Sequence, residues 1–174
     1  LSGADVIPAH ELANISSLTV TGRDGADDTL TVDFSNGSPI PASGVSYDGG
    51  TGGNDTLDLI GGSVTDVTHN FTSSSSGDVT VDGSLLSYTG LEPINDLLAA
   101  QTRSFAFGAT ADSVTIEDIG SSNDGRVRIS SVSSSETVDF NVPATSIEVL
   151  LGGANDTLNV TSLDGNFLGT FIVG

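Results

Sequence analysis

The residues of this chain that suit chemistry are acidic, and they recur in one setting. Asp27 and Asp28 lie in GADDTLTV at 25–32, Asp55 and Asp58 in GGNDTLDL at 52–59, and Asp156 in GANDTLNV at 153–160. Carboxylates clustered on a glycine-rich turn have two uses. They can ligate a hard cation such as calcium, which is bound by oxygen atoms. They can instead accept the amides of their own turns, since Asp and Asn tolerate left-handed backbone and bond nearby amides. Both uses stay open at this stage. Asp27, Asp28, Asp55, Asp58 and Asp156 are therefore candidate metal ligands with calcium as the metal, and no other cofactor is required.

The remaining reactive side chains are few. His10 and His69 are the only imidazoles, and neither has a nearby Ser–Asp setting. His69 sits in VTHNFT, which reads as a strand. Arg126 and Arg128 are the only close basic pair, and their alternate spacing puts both on one strand face. Cysteine is absent, which excludes disulfides, thiolate nucleophiles and Cys-zinc sites. We read the chain as a non-enzyme. A polysaccharide-acting enzyme ranks behind two non-catalytic readings.

The whole chain of 174 residues holds 18 Asp and 5 Glu against 4 Arg and no Lys, for a net charge of −19. Such a surface repels nucleic acid and anionic membrane, so nucleic acid is excluded as a partner. No apolar run approaches the ~18 residues of a spanning helix, so membrane insertion is not expected. There are 25 Ser, 19 Thr and 22 Gly. Disorder is rejected because apolar and β-branched residues alternate in order along the chain. A chain that starts at Leu1 is expected to be a fragment or a processed product.

The acidic turns belong to a longer repeat. Anchors fall at Asp5, Asp28, Asp55, Gly77 (a degenerate copy), Asp112, Glu136 and Asp156. At six of them a large aliphatic follows two places on: Ile7, Leu30, Leu57, Val114, Val138 and Leu158. That is the period of a strand with one buried face. Most anchors lie 20–27 residues apart, which suits one coil of a β-solenoid. The predicted fold is an all-β solenoid of about seven coils, with Leu30, Leu57, Val114 and Leu158 stacked inside. The long interval from 77 to 112 predicts one short helical insertion, at about 92–100, after Pro93. The organisation follows: a first β-repeat half over 1–100 ending in that helix, and a second half over 101–174. Two tandem β-sandwich or jelly-roll domains are the alternative.

The two ends match. From Asp156 through residue 174 and on to Asp5 of another copy is 23 residues, equal to the step from Asp5 to Asp28. This predicts either a tandem repeat or subunits stacking head to tail. The candidate assembly residues are Leu1, Val6, Ile7, Phe167, Phe171, Ile172 and Val173. The second half is then completed by the next copy.

The turn GTGGNDTL at 50–57 resembles the calcium-binding repeats of the RTX type in secreted bacterial proteins. The likeness covers about eight residues at each of three places. The nine-residue tandem of that family is missing here, so its stacked calcium geometry does not transfer. The chain as a whole is similar to Gly-Asn-Asp-Thr-Leu-rich repeat proteins of bacterial cell surfaces, which implies an extracellular or surface location and a structural or adhesive role. Sequons at Asn14, Asn54, Asn70, Asn155 and Asn159 are glycosylation candidates, with glycans as a further partner class. The function read from sequence is a self-associating structural unit of an extracellular fibre. The first alternative is a calcium-dependent adhesin module.

Overall fold

In the computed structural model, residues 14–132 and 135–174 are described. Within them the chain is β throughout, as its period-two patterning predicts. The strands in chain order are β1 (Leu18–Thr21), β2 (Thr29–Asp33), β3 (Val45–Asp48), β4 (Thr56–Ile60), β5 (Ser63–Ser73), β6 (Ser76–Val81), β7 (Ser84–Thr89), β8 (Ile94–Asp96), β9 (Ala99–Ala106), β10 (Ser113–Asp118), β11 (Arg126–Ser131), β12 (Val138–Asn141), β13 (Ser146–Leu150), β14 (Thr157–Val160) and β15 (Thr170–Val173).

They form two mixed sheets. The eight-stranded sheet runs β1-β3-β7-β6-β5-β9-β13-β15, and the seven-stranded sheet runs β14-β10-β11-β12-β8-β4-β2. Most neighbours are parallel: Leu30 lies beside Leu57, Leu57 beside Ile94, and Val114 beside Leu158. Each sheet holds one three-stranded antiparallel meander, β5-β6-β7 in the first and β10-β11-β12 in the second. Apart from the central strand of each meander, all strands in a sheet therefore point the same way.

The sheets face one another across one core. Phe105 of β9 meets Phe140 of β12 with ring centroids 4.9 Å apart, a tilted contact that aromatic quadrupoles favour. The buried cluster runs from Val32 to Val149, with Leu57, Leu59, Ile116 and Ile129 fully covered. Inward residues line up across strands because register fixes which face each side chain takes. In the larger sheet one inward row runs from Leu18 through Val45, Leu86 and Val79 to His69. It continues through Phe105 and Val149 to Val173.

Three expectations change. The helix expected at 92–100 is absent: residues 94–96 are β8, and Ala99 opens β9. Asp96 and, just beyond this stretch, Arg103 hold inward positions that aliphatics would otherwise fill, which hides the alternation. Gly77 is not a corner anchor. It lies within β6 opposite Tyr88, where a Cβ would strike the Asn70 carbonyl oxygen. The aliphatics expected to form one column form two pairs, Leu30 with Leu57 and Val114 with Leu158. Strands β8, β12 and β11 lie between the pairs, because the antiparallel meander is inserted there.

Candidate functional site

The acidic turns sit where one strand crosses towards the next sheet, and their carboxylates cap backbone. Asp28 N–H donates to Asp55 Oδ1 at 2.8 Å, and Asp112 N–H donates to Asp156 Oδ1 at 2.9 Å. Asn54 N–H donates to Asp27 Oδ1 at 2.9 Å, and Thr51 donates its amide and hydroxyl to Asp24 Oδ1. Asp58 accepts from the Asn95 side chain at 2.7 Å. Of the anchors, Asp55 and Asp156 thus tie one turn to its parallel neighbour. Gly53 is required at this corner: its φ is +109°, and a Cβ would strike the Ala26 carbonyl. The five candidate ligands are divided between these ties. Asp27, Asp28 and Asp55 share one corner, Asp58 lies on the outward face of β4, and Asp156 caps the turn that enters β10.

One carboxylate trio with metal-ligating spacing lies elsewhere among the described residues. Asp118, Asp124 and Asp164 each place an oxygen within 4.8 Å of the others. Asp118 ends β10, Asp124 lies in the β10–β11 turn, and Asp164 is buried in the β14–β15 connection. Asp164 accepts the amides of Gly125 and Asn166, and Asp124 accepts those of Ser121 and Arg126. Burial, followed by the charges of Asp164 and Asp124, raises the Asp118 pKa. The sequence repeat did not point to this trio, because only Asp118 lies near an anchor turn.

The core holds a second polar group. His69 of β5, Asp96 of β8 and Arg103 of β9 are fully buried and bridge the two sheets. Arg103 donates from Nε and Nη2 to the two Asp96 oxygens, both at 2.8 Å, and from Nη2 to the Leu98 carbonyl. His69 Nε2 lies 3.2 Å from Asp96 Oδ2, with the ring stacked on Phe105. Burial alone raises the Asp96 pKa, but the Arg103 charge and the His69 and Arg103 hydrogen bonds outweigh it and hold it well below the usual range. The Arg103–Asp96 pair is uncharged overall, which is how buried charges are tolerated. The group lies in a closed core, where it ties sheet to sheet. Arg128 is similarly satisfied on the surface, donating twice to Asp139 at 2.6 and 2.8 Å.

The third feature is the pair of ends. Strands β1 and β2 are outermost at one end, and β15 and β14 at the other. Phe171 and Phe167 are partly buried against the core, while Ile172 is 40% and Val173 53% exposed. Val160 and Leu168 are exposed beside them. Leu1, Val6 and Ile7, like His10, lie outside the described residues. The sequon asparagines Asn14, Asn54, Asn155 and Asn159 are exposed, and Asn70 is half-buried with its amide donating to Asp78 at 2.7 Å.

No protein-family model, no curated protein and no solved structure matches this chain.

Proposed function

We propose that the chain is a structural β-repeat unit that joins end to end with further copies of itself in an extracellular or cell-surface filament. The observation that carries this reading is the state of the ends. Both sheets stop in short strands that are unpaired on their outer side among the described residues, and β1, β14 and β15 carry no charge. Proteins ordinarily protect free strand edges with charge, proline or a covering segment. In this reading the parallel strands are coils of a solenoid-like stack, two of them opened into meanders. Separate subunits and covalently linked copies use the same join. Electron microscopy of the purified chain tests it: filaments that vanish in Phe171→Asp support the reading, and dispersed single particles at high concentration refute it.

The second reading is a calcium-dependent adhesin module, and the Asp118–Asp124–Asp164 trio favours it. Calcium that raises the melting temperature, with the gain lost in Asp124→Asn, would put that reading first.

A further inference from the structure

Resting on the end-to-end reading, we propose that β15 of one copy pairs in parallel with β1 of a second copy, Phe171 opposite Leu18 and Val173 opposite Val20. The sequence pointed to Leu1–Ile7 as the partner of the last strand. That segment lies outside the described residues, and β1 is the outermost described strand of the sheet that β15 ends.

Three independent features agree on this join. The first is direction. β1 and β15 run the same way within their sheet, so a copy displaced along the sheet, without rotation, presents β1 parallel to β15. Such a contact is heterologous and does not close on itself, so it generates an open series of copies.

The second is the phase of the backbone. Thr170 and Gly174 donate their amides to Thr145 and Val149, so Phe171 and Val173 turn theirs outward. On β1, Leu18 and Gly22 donate to Gly44 and Asp48, which leaves Thr19 and Thr21 facing the side that no described strand covers. Parallel strands pair a residue that faces its neighbour with one that faces away. Phe171 opposite Leu18 satisfies this, and the strands then overlap over three pairs: Phe171 with Leu18, Ile172 with Thr19 and Val173 with Val20.

The third is the side chains. Leu18, Val20 and Phe171 are already part-buried on the inward face, and the same register sets Phe171 on Leu18 and Val173 on Val20. A cavity of about 260 Å³ opens at this end beside Val20, Thr29 and Tyr47. Val173 enters it in this register. The outer faces of the two strands bring Ile172 to Thr19, neither of them charged. In a chain of net charge −19, an acidic copy meets another with least repulsion where both strands are neutral.

Cysteine pairing tests the register directly, because the chain has no cysteine of its own. Opposed residues on adjacent strands lie within disulfide reach. Thr19→Cys and Ile172→Cys are prepared as separate proteins, mixed and oxidised mildly. Sedimentation under reducing conditions first checks that each variant still associates. The expected result is a covalent heterodimer in the mixture, little homodimer in either variant alone, and a ladder of covalent oligomers when one chain carries both substitutions. Pairing of Ile172→Cys with Ser17→Cys in place of Thr19→Cys overturns the register. Homodimers of either variant, or associated protein that forms no link at these positions, overturn the β15–β1 join while end-to-end assembly stands. Absence of any association overturns both.

Discussion

Asp55 accepts the amide of Asp28, 27 residues back along the chain, through Oδ1 at 2.8 Å. Asp156 does the same for Asp112. The acid of the repeated turn is therefore a tie between neighbouring turns, and this accounts for its position directly before the Thr-Leu strand start. Asp55 is 2% exposed, and removing its carboxylate leaves the part-buried Asp28 amide unpaired. Asp55→Ala is expected to lower stability by about 1–3 kcal/mol, measured by urea denaturation. Asp55→Asn, which keeps an acceptor oxygen, is expected to lose much less. Equal losses in both would show that charge, and not amide capping, is what the position supplies.

The buried trio gives a coupling prediction. Asp96→Ala leaves the Arg103 guanidinium in the core without its carboxylate and is expected to cost about 3–5 kcal/mol. The double variant Asp96→Leu with Arg103→Met is expected to be more stable than the sum of the single losses, by at least about 1 kcal/mol. Simple additivity would contradict the pairing. The pH dependence follows from the same contacts. The Asp96 pKa is depressed in the fold. Its stabilisation is therefore present above the ordinary carboxylate pKa and lost as pH falls through the folded value, in strong acid.

Glu136 has the opposite sign. Burial, opposed by the Thr137 amide and helped by the Glu92 charge, pushes its pKa up to about 7. The protonated form is favoured in the fold, so this contribution is full below the unfolded value of 4.5 and lost as pH rises towards 7. Glu136→Gln is expected to remove that loss and to gain roughly 1–2 kcal/mol over the native chain at pH 8, with little difference at pH 4. Melting curves at the two pH values check it. A gain at pH 4 equal to that at pH 8 would contradict the assignment.

Sequence reading reached the strands whose inward positions are aliphatic. Leu30, Leu57, Val114 and Leu158 head strands as the period-two pattern predicts, and the acids before them cap turns. It failed where an inward position is polar. Asp96, within 92–100, and Arg103, just beyond it, interrupt the alternation. Their pairing joins strands of opposite sheets, which no local pattern encodes. Arg103, Phe105 and Phe107 do alternate, and that was the available signal for β9. The meanders were also hidden: β6 and β11 read as ordinary strands, and only long-range pairing reveals that they run backwards. The trio of Asp118, Asp124 and Asp164 was missed for the same reason, since Asp164 joins the others through folding alone.

End-to-end growth through β15 is the central claim, and sedimentation velocity over a range of concentrations tests it most directly. The native chain is expected to show a series of species extending to larger sizes as concentration rises. Phe171→Asp, which sets a charge at the join, is expected to sediment as one monomeric species with its β-sheet circular dichroism unchanged. A native chain that stays monomeric throughout, or a Phe171→Asp variant that assembles as the native chain does, would contradict the account.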